Sequence, residues 1–188
     1  MATIGDMMPL LDENRIFVKQ SLKLVKQGTR PAFAKLVEKT EISLINEEMF
    51  GFKFVPMVNA PSRLLGSIEL AVDLFLTEDE KEMDNLIGKL IALNDERKEI
   101  TAVQEALAMD MIEKMGDQPF YVLYNPAFDE GIVGLVAGRI KEAFHRPAIV
   151  LTNHHGIAKG SGRSIEAFHI TDALHATTET LIGFGGHA

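Results

Sequence analysis

The sequence predicts an α/β protein: a helical N-terminal and connector region with a long helix, then a small mixed-sheet α/β domain. Three observations predict it. Up to Phe75 the stop and start signals bracket helical segments. From Thr77 to about Met115 the apolar residues keep helical spacing without a proline or a turn cluster. From Asp117 the texture changes to strand, helix, strand. The expected division is 1–76 mostly helical, 77–116 a connector helix, and 117–188 the α/β domain.

In order, Asp12 is read as the cap of a helix through about Gln27, stopped by Gly28. Ile16, Leu22, Leu24 and Val25 give that helix an imperfect apolar face. Pro31 opens a second helix through about Lys39. Residues 41 to 55 carry Phe50, Phe52 and Phe54 and read as a short helix and an extended piece. Asn59-Ala60-Pro61 is a turn signal, because the residue before a proline avoids the helical region. Arg63 then stands before an apolar helical stretch, Leu64 to Phe75. A cation at a helix start opposes the dipole. Two readings stay open for it: a surface arginine, or one placed there for a ligand.

Thr77 and Glu80 have the spacing of a capping box. The pattern behind them includes Met83, Leu86, Ile87, Leu90, Leu93, Ile100, Val103, Leu107 and Ile112. Unbroken, it spans roughly 55 Å at 1.5 Å per residue. A rigid connector and two antiparallel helices broken near Asn94-Asp95 both fit it.

Phe120 to Tyr124 reads as a buried strand, Gly131 to Phe144 as a helix, and Pro147 to Thr152 as a second strand, a βαβ unit. Asn153-His-His-Gly156 reads as a hairpin turn and not as a metal site. Adjacent strand side chains point to opposite faces and seldom share one ion. Ile157 to Lys159 is the return strand, leading into a 160–164 loop. Residues 164–169 continue extended, and Thr171 with Asp172 caps a last short helix.

That loop, Lys159-Gly-Ser-Gly-Arg-Ser164, is the strongest chemical signal. Gly160 and Gly162 let backbone N–H groups approach an anion closely. Arg163 offers a planar fork that matches two phosphate oxygens. Lys159, Ser161 and Ser164 add an ammonium and two hydroxyls. The segment reads either as a phosphate grip or as a tight turn with an exposed arginine.

Composition narrows the context. The chain has 188 residues and a formal net charge of −8. A general polyanion-binding surface does not fit that charge, so a phosphodiester must be held by a local cluster. Tryptophan is absent and tyrosine occurs twice, which leaves few base-stacking platforms. There is no cysteine, hence neither a disulfide framework nor a thiolate metal site. No apolar run approaches membrane-spanning length and no secretory signal is visible, so a cytoplasmic protein without a membrane partner is expected.

Four segments together resemble a known family. A GSGRS loop followed by Phe184-Gly-Gly-His-Ala188 is similar to the DHH-associated domain of DHH phosphoesterases. Ala2-Thr-Ile-Gly-Asp-Met-Met-Pro-Leu10, with Glu13-Asn-Arg15, resembles the fourth DHH motif. Pro56-Met-Val-Asn-Ala-Pro-Ser-Arg63 resembles the P-x-x-NA-x-GR segment of the RecJ exonucleases. Order and spacing fit that family along essentially the whole chain. Gly5 and Ser62 depart from its usual alanine and glycine.

The resemblance implies a manganese- or magnesium-dependent 5′-to-3′ exonuclease acting on single-stranded nucleic acid in DNA repair and recombination. It implies Asp6 as one metal ligand and Arg63 as a catalytic contact to the phosphate being cleaved. It implies Asn59, Lys159, Ser161, Gly162, Arg163, Ser164, Gly185, Gly186 and His187 at the substrate. A single-strand-binding protein or a helicase are the implied protein partners; oligomeric state is not implied. The first DHH motifs do not precede Asp6 here, so the chain is expected to be a fragment, inactive alone and binding no metal by itself. Two other functions stay open: a DHH phosphodiesterase acting on oligoribonucleotides or cyclic dinucleotides, and a non-catalytic phosphate- or nucleic-acid-binding module.

Overall fold

The structure, a computed structural model, describes residues 1–186; His187 and Ala188 lie outside the described residues. The chain divides into two compact units, Met1–Arg97 and Lys98–Ala188.

The first unit is helical. Its elements are α1 (Ala2–Gly5), α2 (Asp12–Lys26), α3 (Pro31–Lys39), α4 (Glu47–Met49), α5 (Val55–Leu65), α6 (Glu69–Leu76) and the start of α7 (Glu80–Met115). In α2 the buried residues are Val18, Leu22 and Val25, spaced to share one face. Ile16 and Leu24 are exposed, against the sequence expectation. Ile16 stands two positions from Val18, about 200° round the helix, and Leu24 one position from Val25, about 100° round. Asp12 is the first residue of α2 and Leu11 its cap. Proline 31 opens α3 as expected.

The extended piece expected before residue 55 is instead a π-helical turn, Phe50–Phe54, running straight into α5. Alternate phenylalanines resemble a strand, but Phe50 and Phe54 lie four apart and both enter the core, while Phe52 is exposed. The ring of Phe33 holds them, with centroids 5.7 Å from Phe50, 6.2 Å from Phe54 and 5.0 Å from Phe75. Leu36, Leu74, Ile87 and Leu90 complete this core, all without solvent exposure.

At the start of α7 the cap is Asp79 and not Thr77. Asp79 Oδ1 accepts the backbone N–H groups of Lys81 (2.8 Å) and Glu82 (2.9 Å). The Thr77 hydroxyl accepts from the Asp79 N–H and donates to the Glu82 carboxylate. Lys35 and Lys39 of α3 reach Asp84, Lys35 at 3.2 Å. The hydrogen bond from Lys35 holds the Asp84 carboxyl below its ordinary range. No break occurs at Asn94-Asp95, which removes the two-helix alternative. The buried Asn94 side chain accepts from Arg97 Nε (3.3 Å) and Nη2 (3.0 Å), so it does not compete with the helix backbone.

The second unit is a three-stranded sheet with helices. Its strands are β1 (Tyr121–Tyr124), β2 (Ala148–His154) and β3 (Ile157–Arg163), in that order. β1 and β2 are parallel and joined through α8 (Val133–Phe144); β2 and β3 form an antiparallel hairpin. The expected βαβ unit is therefore present. Tyr121, Leu123, Ala148, Val150 and Thr152 are buried on one face of the sheet, with Val136, Ala137 and Ile140 of α8 buried as well. Val122 and Tyr124 are exposed, so β1 is buried on one face and not on both. The hairpin loop is His155-Gly156, two consecutive residues with positive φ, as a two-residue hairpin requires.

After β3 the chain does not continue extended: residues 165 and 168 are bridged across a tight turn. The last helix is α9 (Ile170–Ala176), followed by a short 3-10 turn, Thr178–Thr180. Its first N–H is taken by the Ser164 hydroxyl (3.1 Å) and not by Thr171 or Asp172. Among the described residues no helix is long and apolar enough to cross a membrane.

Candidate nucleic-acid interface

The segment expected as a loop, 160–164, is mostly strand: β3 runs through Arg163, and only Ser164 lies beyond it. The physical reason is pairing. Gly160, Ser161, Gly162 and Arg163 stand in unbroken register with Leu151, Val150, Ile149 and Ala148. Period-two alternation then puts Lys159, Ser161 and Arg163 on one face, with Gly160 and Gly162 on the other.

The cationic face is the face covered by α8. A Cβ added at Gly134, in the first turn of α8, would lie 3.2 Å from Ser161 Oγ and 3.3 Å from Arg163 Nη2. Gly134 thus makes room for the β3 row. Arg163 Nη1 donates to Ser161 Oγ (3.1 Å) and to its neighbour's carbonyl, Gly162 O (2.8 Å). The guanidinium is exposed and lies over a helix start that has no acidic residue in its first turn. A fixed cation added to the positive end of a helix dipole makes a local attraction for an anion.

The approach to α8 is held by Asp129. Its side chain accepts the Gly131 N–H (2.8 Å), and its own N–H donates to the buried Gln104 (3.1 Å). Glu130 is thereby presented to the end of the hairpin. Its carboxylate takes the Lys159 ammonium on one oxygen and His154 Nδ1 on the other, at 2.6 Å. The hydrogen bond from Lys159, followed by that from His154, holds the Glu130 carboxyl below its ordinary range. Glu130 and His154 are not visible as partners in the sequence, because 24 positions separate them and the fold alone brings them together.

The other face of β3 meets α9. A Cβ at Gly162 would lie 3.2 Å from Ile149 Cγ1 and 3.3 Å from Ile170 Cδ1. Gly185 and Gly186 line a cleft of about 510 Å³ with Thr171, Asp172, His175 and Phe184. The His175 and Phe184 rings meet edge to face at 4.8 Å. Ser164 faces this side through its bond to Ile170. His187 lies outside the described residues.

In the first unit Asn59 and Arg63 are brought together, one helical turn apart in α5 and both half-buried. The turn expected at Asn59-Ala60-Pro61 is not there. Proline 61 sits inside the helix and fully buried, so core packing overrides the local preference before a proline. Arg63 is in the last turn of α5, ahead of the left-handed Gly66. It therefore complements the helix dipole, and the dipole gives no reason for a ligand there.

Asp6 is an exposed residue at the C-terminal end of α1. Among the described residues no group of three or more His, Cys, Asp or Glu could hold a metal ion. Asp6 has the oxygen chemistry of one ligand to a hard cation.

Residues 117–188 match the DHHA1 domain. The whole chain is 35% identical, across 192 aligned residues, to the single-stranded-DNA-specific exonuclease RecJ of Bacillus subtilis, of which it covers 24%. It is 34% identical, across 201 residues, to RecJ of Escherichia coli, of which it covers 35%. A crystal structure of RecJ from Thermus thermophilus in complex with Mn2+ superposes with a TM-score of 0.89 at 30% identity, over 98% of this chain and 27% of that one. A structure of exonuclease RecJ bound to manganese gives 0.79 at 30% identity, over 46% of its chain. These relatives bear out the resemblance read from the motifs. The chain spans about a quarter to a third of the length of the relatives it matches.

Proposed function

We propose, from the premise that this chain is homologous along its whole length to one segment of RecJ, that it is the phosphate-holding part of an exonuclease specific for single-stranded DNA. The observation that carries the reading is the β3 row, with the Arg163 guanidinium laid over the start of α8. In this reading Arg163 and Ser161 hold one backbone phosphate of the strand. Gly162 keeps the backbone of β3 thin beside them. Arg63, with Asn59 one turn away, contacts the phosphate being cleaved. Gly185, Gly186 and His187 contact the substrate in this reading, and Ser164 supports the side of Gly185 and Gly186 through Ile170.

Hydrolysis belongs to the longer protein. Asp6 contributes one oxygen donor there, and a manganese or magnesium ion supplies an activated water when bound. The metal-bound RecJ structures support a divalent ion as the cofactor. Polarity from the 5′ end, a role in repair and recombination, and a single-strand-binding protein or helicase as partner follow the same homology.

The test is salt-dependent binding. Each phosphate contact on a single strand contributes about 0.7 to the slope of log affinity against log salt. Arg163→Ala is expected to weaken binding of a single-stranded oligonucleotide and to flatten that slope by about 0.7. Fluorescence anisotropy at several salt concentrations measures both. An unchanged slope removes Arg163 from the substrate path.

A further inference from the structure

We infer that Glu130 is a built-in competitor for the DNA phosphate: its carboxylate occupies Lys159, the cation that would otherwise lengthen the phosphate-holding row of β3. The inference rests on the reading of that row given above. Lys159, Ser161 and Arg163 alternate onto one face, so Lys159 is the second cation in line with Arg163. The two cations are used differently. Arg163 is satisfied by a hydroxyl and a carbonyl, neutral acceptors that a phosphate outbids. Lys159 is neutralised by a carboxylate.

That carboxylate is not there by chance of a floppy side chain. Asp129 and the buried Gln104 fix the backbone that carries it, and His154 holds its second oxygen. A strand phosphate that takes the Lys159 ammonium competes with Glu130 for it. The arrangement lowers affinity and restricts the row to one strong contact. It fits a substrate that must slide, because each further fixed contact slows release.

The experiment measures anisotropy of a labelled oligothymidylate across a range of sodium chloride concentrations. Wild type, Glu130→Gln, Glu130→Ala, Lys159→Met, Arg163→Ala and the double variant Glu130→Gln with Lys159→Met are compared, each checked by thermal melting. Glu130→Gln and Glu130→Ala are expected to bind severalfold tighter, with a slope steeper by about 0.7, one added contact. Adding Lys159→Met to Glu130→Gln is expected to remove the gain. Unchanged or weaker binding by both Glu130 variants overturns the inference. So does a gain that survives Lys159→Met, since it then reflects loss of negative charge alone. If Arg163→Ala also leaves binding unchanged, the phosphate-holding reading falls and this inference with it. If Arg163→Ala weakens binding while the Glu130 variants do not strengthen it, the inference falls alone.

Discussion

Gly160 directs its missing side chain into the neighbouring strand: a Cβ there would lie 1.9 Å from the Val150 carbonyl oxygen and 2.8 Å from Leu151 Cα. Backbone cannot yield as a flexible side chain can. Gly160→Ala is therefore expected to cost at least the ~1–3 kcal/mol typical of overpacking. Gly162→Ala meets only the side chains of Ile149 and Ile170, at 3.2 Å and beyond, and is expected to cost less. Urea denaturation of both variants checks the order. The two glycines therefore serve strand packing, where their residue type in the sequence suggests close approach of an anion. Gly5 is a similar case. A Cβ there would meet the Val55 methyl groups at 3.1 and 3.2 Å, a local reason for glycine where the RecJ motif has alanine.

Among the elements, those with local boundary signals are legible in the sequence. Pro31 opens α3, Gly28 follows α2, and the long apolar period forms the single helix α7. Elements decided by tertiary contact are not legible. The π-helical turn exists because Phe50 and Phe54 share one core with Phe33, which alternation of phenylalanines conceals. Pro61 lies within α5 because its burial outweighs its local preference. The Lys159–Ser164 segment is marked by its residue types, but its place in an edge strand depends on pairing with β2 that the sequence does not display. The start of α7 gives a direct test of a corrected assignment. Asp79→Ala is expected to cost about 1 kcal/mol through loss of its two capping bonds, measured by chemical denaturation. A Thr77→Ala variant is expected to cost less, since its hydroxyl bonds Asp79 and Glu82 and caps no N–H inside α7.

At the scale of the whole molecule, a chain of net charge −8 holds its candidate interface as a local concentration of positive potential. That potential comes from one exposed guanidinium and one helix start, beside a lysine whose charge a carboxylate offsets. Binding at such a site is expected to be confined in space, with a shallow salt dependence of about 0.7 in slope per phosphate contact and the acidic remainder repelling the strand. Amide chemical-shift mapping of the chain against a single-stranded oligonucleotide at low salt tests this most directly. Shifts concentrated at Ser161, Gly162, Arg163 and the first turn of α8 around Gly134 are predicted. A bound strand that leaves those amides unmoved while shifting others would contradict it.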